Sequence, residues 1–341
     1  MEFSSLYQVH KGIKHTNLVD KWTIPEEQAL PIIKHAFDKG VNTWDTADVY
    51  ALGESEHILG KALKTCNIPR ERVVILSKCY CGVPAPGELD GLSEIEKIAR
   101  LAINEGVMAN RIGLSRKHIL DAVDASVERL GTYLDVLQIH RLDRETPREE
   151  IMRTLNDVVE SGKVRYLGAS SMATWEFQAL NNIAEKNGWH KFISMQNYHS
   201  LLYREEERDM FPYCRDAGIG IIPWSPLARG LLTRPFTPAG EKTVREGDDI
   251  TAGMLIGPTT DIDIAIIGRV EELARKKNCS MAQIGIVWCL NKGVNPIVGL
   301  STTKRVDEAV QAVEMFQNGL LNEDDLKYLE ELYAPKAIVG Y

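Results

Sequence analysis

The chain has no apolar run near membrane-spanning length, so no transmembrane helix is expected among its 341 residues. No basic excess is present either: 40 Lys and Arg stand against 48 Asp and Glu, a formal net charge of −8. Phosphate backbones are bound by basic patches or stripes, so no nucleic-acid partner is expected. Nothing at the start resembles a signal peptide. Cysteine is sparse and scattered. The closest pair, Cys79 and Cys81, has neither zinc-ligand nor CxxC spacing, which points to reduced thiols in a cytoplasmic protein. HExxH, G-x-G-x-x-G and a Ser–His–Asp order are missing, and "GESEHILGK" from Gly53 is excluded as a P-loop by its spacing and by the Ala62 that follows. Low-complexity segments and Pro/Gly linkers are also lacking, so one domain over residues 1–341 is expected. Nothing in the chain calls for an obligate protein partner. Glycine is scarce at the start, where Gly12 alone precedes Gly40, and residues 1–24 form an atypical N-terminal segment.

What is present is ordinary globular composition, 44% hydrophobic and 26% charged. Short β-rich runs alternate with amphipathic helical stretches. The runs are "VNTWDT" from Val41, "VVILSK" from Val73, "LDVLQIH" from Leu134, "VRYLGAS" from Val164, "ISMQNY" from Ile193, "IGIIPWS" from Ile219 and "NPIVGL" from Asn295. Most are apolar without strict alternation, as parallel strands covered on both faces require. Between them lie helical patterns such as the one opened by Ser115 and closed by Gly131, both cap residues. The pattern predicts a (β/α)8 TIM barrel with a degenerate or shortened first strand, for which "SLYQV" from Ser5 is the candidate; a doubly wound sheet is the alternative. Two long irregular stretches, 79–114 and 226–262, are expected to be functional loops.

In such barrels chemistry collects at the C-terminal ends of strands. Those ends carry Asp45, Lys78, His140, Ser170, Gln196 or Asn197, and Trp224, with Tyr50 in the loop beyond Asp45. Singly, each has an ordinary explanation as a cap, a solvated charge or a core polar group. Jointly they suggest more, because a Lys closing so apolar a run needs a partner if it is buried. A phenol has a reference pKa of about 10; an adjacent ammonium favours the phenolate, and a carboxylate holds that ammonium in place. Asp45, Lys78 and Tyr50 therefore read as a proton donor and acceptor, with His140 orienting and polarising a carbonyl. Protonation of a carbonyl oxygen while hydride reaches carbon fits this set.

These residues carry a resemblance. "DTADVYALGESEHILGKAL" from Asp45, "SGKVRYLGAS" from Ser161 and "QNYHSLLYREEERDMFPYCRDAGIGIIPWSPLARGLL" from Gln196 resemble the aldo-keto reductases from about Pro25 onwards. The last is similar to the branch of fungal aryl-alcohol dehydrogenase-like and versiconal hemiacetal acetate reductase-like enzymes. The resemblance implies a barrel using NADP(H) to reduce aldehydes or ketones, with Tyr50 as general acid, Lys78 and Asp45 tuning it, and His140 orienting the carbonyl. It implies that Ser170, Ser171 and Gln196 hold the nicotinamide carboxamide and that Trp224 stacks on the ring. Ser225, Leu227 and Arg229 match the loop over the pyrophosphate. Gly299, Ser301, Lys304 and Arg305 match the adenosine-phosphate segment, and Ala309 replaces an Asn that many relatives place on the adenine. Apolar "GMLIGP" from Gly253 and "APKAIVGY" from Ala334 suit a bulky or aromatic carbonyl substrate. Two other readings remain open at this stage: a cofactor-binding regulatory or catalytically weak member of the same fold, and a Schiff-base aldolase acting through Lys78.

Overall fold

The structure, a computed structural model, describes residues 7, 8, 24–237 and 258–339; "GMLIGP" up to Gly257, most of residues 1–24 and Tyr341 lie outside these. Among the described residues eight strands form one sheet: β1 (Tyr7–Gln8), β2 (Thr43–Asp45), β3 (Val74–Cys79), β4 (Leu134–Ile139), β5 (Val164–Ser170), β6 (Phe192–Gln196), β7 (Gly220–Ile221) and β8 (Val298–Gly299). Every ladder is parallel and the order is 7-6-5-4-3-2-1-8. At the two ends of that order, the Asn295 amide donates to the Ile221 carbonyl and the Ile297 amide to the Pro223 carbonyl, each at 2.9 Å. Steps of two residues on both partners are the rhythm of a parallel ladder, so the sheet curls until its ends meet. The doubly wound alternative fails, because such a sheet reverses its strand order at a switch point and this one does not. Of "SLYQV", the described residues Tyr7 and Gln8 lie in the ladder, with Tyr7 in register with Trp44 and Val298.

Helices return the chain between strands. They are α1 (Glu26–Asp38), α2 (Glu54–Thr65), α3 (Glu94–Arg100), α4 (Arg116–Leu130), α5 (Arg148–Glu160), α6 (Thr174–Asn187) and α7 (Met210–Asp216). Then follow α8 (Asp261–Lys277), α9 (Met281–Asn291), α10 (Thr303–Gln317) and α11 (Glu323–Glu330). Ser115 caps α4 by accepting from the His118 amide, and Gly131 ends it in the left-handed region at φ 66°. The stretch 79–114 is less irregular than its composition suggests. Ser93 and Glu96 form a capping box that starts α3, a signature legible as S-x-x-E.

Strand alternation divides two interiors. Ser77 on β3 faces outward, since its hydroxyl donates to Glu56 on α2 at 2.5 Å; Leu76 and Lys78 therefore face the barrel axis. Outward Trp44, Ile75, Leu137, Ile139 and Ala169 join the main core beneath the helices. Inward Leu76, Val136, Ile222 and Ile297 make a separate small cluster. The α2–α4 contact needs glycine at position 60, where a Cβ would stand 2.4 Å from the Leu130 carbonyl oxygen. Its missing side chain lets the helices close on the strand that carries Lys78.

Candidate active site

Above the small inner cluster the inward side chains become polar. Asp45 ends β2, Lys78 lies near the end of β3, Gln138 lies in β4, and Gln196 ends β6. The Lys78 ammonium donates to Asp45 Oδ2 at 2.5 Å, to the Thr46 carbonyl at 2.8 Å and to Tyr50 Oη at 3.4 Å. Asp45 Oδ1 accepts from the amides of Gln138 and Gln196, each at 2.9 Å. Lys78 is 1% exposed and Asp45 0%. Burial disfavours the ammonium, but the Asp45 charge, Tyr50 and their hydrogen bonds outweigh it, and the Lys78 pKa lies above its ordinary value. The ammonium also sits 4.9 Å from the Tyr50 ring centroid. The half-buried Tyr50 meets the His140 ring edge-on at 5.7 Å between centroids.

The remaining residues of "DTADVYALGESEH" hold this loop in shape. Thr46 donates to Ser55 at 2.7 Å across the turn, and buried Glu56 accepts from Ser77 and from Arg129 at 2.6 Å. Asp48 is 1% exposed, and burial together with the Glu56 charge pushes its carboxyl well above the usual range. Backbone strain marks the same region. Of nine described non-glycine residues with positive φ, three are asparagine; the other six are Ala51, Leu52, Ser171, Ser225, Ala228 and Arg229. All six lie in loops leaving β2, β5 and β7 towards the candidate site. Left-handed conformation is unfavourable for such residues and collects where surrounding structure imposes a function.

On the β5–β7 side, Ser170 donates to the Gln196 carbonyl at 2.7 Å, and the Ser171 amide donates to Asn197 Oδ1 at 2.9 Å. The Trp224 indole donates to Ser171 Oγ at 3.1 Å. One face of that indole is covered by Tyr198, with ring centroids 4.6 Å apart and planes at 16°. Ser225 and Leu227 lead into a 3-10 turn spanning Ala228–Thr233, which carries Arg229. Leu227 packs where α9 has Gly285, whose Cβ would lie 2.8 Å from its side chain. On the β8 side, Gly299 ends the strand, and Arg305 donates to Ser301 Oγ at 2.6 Å beside the first turn of α10. Lys304 is 85% exposed there, and Ala309 is buried. The expected residues thus form a bonded strand-end group, a group around Ser171 and Trp224 joined to it through Gln196, and an exposed group at the start of α10. Among the described residues no cluster of His, Cys, Asp and Glu could hold a metal ion.

Two residues, Gln138 and Arg141, escaped the sequence reading, and Asn197, named there as the alternative to Gln196, has a bonding role of its own. Gln138 sits inside an apolar strand, and its only signal is that a polar residue interrupts "LDVLQIH". Asn197 ties the Ser171 loop to buried Glu206. Arg141 donates to the His140 carbonyl at 2.6 Å and so fixes the backbone that carries the imidazole.

A curled parallel sheet whose strand ends hold an Asp–Lys pair against a Tyr and a His defines a class of barrel oxidoreductase. The Aldo/keto reductase family matches residues 10–334, and the chain belongs to that family. It is 60% identical to the versiconal hemiacetal acetate reductase of Aspergillus parasiticus, over 93% of this chain and 90% of that protein. A Schizosaccharomyces pombe protein, named provisionally as an aryl-alcohol dehydrogenase, is 52% identical over 94% of this chain and 90% of its own. A crystal structure of a thermostable aldo-keto reductase superposes with a TM-score of 0.69 over 97% of this chain and 95% of the other, at 23% identity. The chain is therefore an oxidoreductase of this family, whose members act on small carbonyl substrates. Among the described residues no helix is long and apolar enough to cross a membrane.

Proposed function

We propose that the protein is an NADP(H)-dependent carbonyl reductase converting aldehydes or ketones, aryl or otherwise bulky, to alcohols. We read it as one closed (β/α)8 barrel domain acting in the cytoplasm. The observation that carries this reading is the buried chain Asp45–Lys78–Tyr50. An ammonium that satisfies a carboxylate, a backbone carbonyl and a phenol oxygen at once is built to hold that phenol's proton ready for transfer.

The residues present fit the cofactor. Trp224 is half-buried with one face against Tyr198, which suits its other face to a planar ring. Ser170, Ser171 and Gln196 stand beside it as partners for a carboxamide. Ser225, Leu227 and Arg229 provide the pyrophosphate loop. Gly299, Ser301, Lys304 and Arg305 surround a helix N-terminus, where amide groups and cations favour phosphate. A nicotinamide held by these residues would supply the hydride that the carbonyl carbon needs. Tyr50 gives its proton to the carbonyl oxygen, Lys78 stabilises the phenolate left behind, and His140 orients the carbonyl from the other side. Schiff-base chemistry at Lys78 is disfavoured: a nucleophilic amine must be neutral, whereas this one is held as an ammonium by three acceptors.

Loss of NADPH absorbance with an aromatic aldehyde tests the reading. Tyr50→Phe is expected to bind NADPH as the native protein does, by fluorescence titration, and to lose turnover by on the order of 10²–10⁴-fold. Full turnover in that variant removes Tyr50 as the acid. NADPH binding without turnover of any carbonyl across a broad panel would instead favour the regulatory or catalytically weak reading.

A further inference from the structure

We infer that Gln138 is a positioning residue for the reaction, acting through Asp45 and Lys78 to set the readiness of Tyr50 to give up its proton. The inference rests on the carbonyl reductase reading above. Gln138 is 0% exposed and donates one hydrogen bond to Asp45 Oδ1, at 2.9 Å. Its carbonyl oxygen accepts from Gln196 Nε2, also at 2.9 Å, and Gln196 Nε2 donates in turn to the same Asp45 oxygen. Asp45 as a carboxylate is acceptor only, so both glutamines must present their NH₂ groups to it, and neither amide can flip without facing oxygen to oxygen.

The donor count explains why this matters. The Lys78 ammonium has three hydrogens and three acceptors: Asp45, Thr46 and Tyr50. Its orientation therefore follows the orientation of Asp45 Oδ2. With Oδ1 held by two amides, the carboxylate cannot rotate to meet Lys78 differently. Those amides also share its negative charge, so that more of the ammonium's field reaches the phenol. A second observation shows that the sheet makes room for this amide. The residue in register with Gln138 on β5 is Gly168, where a Cβ would stand 2.9 Å from Gln138 Cγ. Gln196 is an expected cofactor contact, so its substitution would mix two effects. Gln138 reaches that contact only indirectly, by accepting from Gln196 Nε2, and NADPH titration of its variants reads that effect separately.

The test uses Gln138→Met, which keeps length and removes both the donor to Asp45 and the acceptor for Gln196, and Gln138→Glu, which keeps length and the acceptor and donates only while protonated. NADPH fluorescence titration and thermal melting verify that each variant is folded. For Gln138→Met we expect kcat for reduction to fall about tenfold with KM within about twofold of native, since one hydrogen bond to a charged group is lost. The alkaline limb of kcat should move up by roughly 0.5–1 pH unit, because the less-shared carboxylate charge disfavours the phenolate. Gln138→Glu should resemble the native protein at the acid end of the profile and fall below Gln138→Met at the alkaline end, where two carboxylates oppose each other. Phenolate difference absorbance, referenced to Tyr50→Phe, reads the Tyr50 ionisation without any turnover. Its midpoint should move up with the Gln138→Met limb. An unmoved midpoint in a folded, NADPH-binding variant overturns the inference, even where kcat has dropped. Absent native turnover with a moved midpoint instead overturns the reductase reading and leaves the positioning role standing.

Discussion

At the ends of β2, β3 and β6, Asp45, Lys78 and Gln196 are 0–2% exposed and bonded to one another, whereas at the start of α10 Lys304 is 85% exposed. The first group loses its hydration and meets the Lys78 ammonium and both Asp45 oxygens with directed partners. The second keeps its water, and a short side-chain bond joins Arg305 to Ser301. The difference follows from what each must do. A proton donor is tuned by fields that water would screen, so its neighbours must be dry and fixed. A phosphate brings its own charge and needs cations that it can reach from solution. A third region sharpens the contrast: buried His199 bonds to Glu207, which also accepts from Arg204 and Lys292. That cluster is charged like the first, but its neighbouring phenol, Tyr333, is itself committed as a donor to Glu205.

Lys78→Met should break the contrast most severely. It leaves Asp45 as a buried charge without its counter-ion, costing about 3–5 kcal/mol in urea unfolding. Turnover should fall by on the order of 10³-fold or more, because the phenolate loses its cation.

Glu207→Gln should cost less, about 2–3 kcal/mol, and leave kcat within about twofold, showing that burial of charge alone does not make the site. Burial raises the Glu207 pKa, but hydrogen bonds from His199 and Arg204 and their charges outweigh it, so the carboxyl is held well below its ordinary 4.5. A folded-state value below the unfolded one stabilises the protein above the unfolded value and loses that contribution as pH falls through the folded value. Melting temperature below about pH 4.5 should therefore decline less steeply in the variant than in the native protein.

Arg305→Leu should weaken NADPH binding about tenfold, with NADH little changed, if the exposed group meets a 2′-phosphate. Equal loss for both cofactors would remove that preference. The smallest effect is salt: raising ionic strength to about 0.5 M should increase KM for NADPH a few-fold and leave kcat unchanged, because exposed charges are screened and buried pairs are not.

Much of the frame was legible. Parallel strands read as apolar runs because both faces are covered, and helix ends such as Ser115 and Gly131 read from their caps. Lys78 announced itself as a charge closing an apolar run. The helix begun at Ser93 was missed within a stretch read as loop, although its capping box was visible. Gln138 was missed for a deeper reason. Nothing local distinguishes an inward glutamine from an outward one, and its partners Asp45 and Gln196 are 93 and 58 residues away in the chain.

The sequence by itself determined which chemical groups stand at strand ends, since an apolar run and the polar residue that closes it depend on neighbours a few residues away. Tertiary structure alone decided how those groups bond: that Asp45 has two amide donors as well as an ammonium, that Trp224 has one face covered, and that Arg305 folds onto Ser301. The physical reason is that hydrogen-bond geometry in the barrel depends on the register of several strands at once. No single segment carries that information.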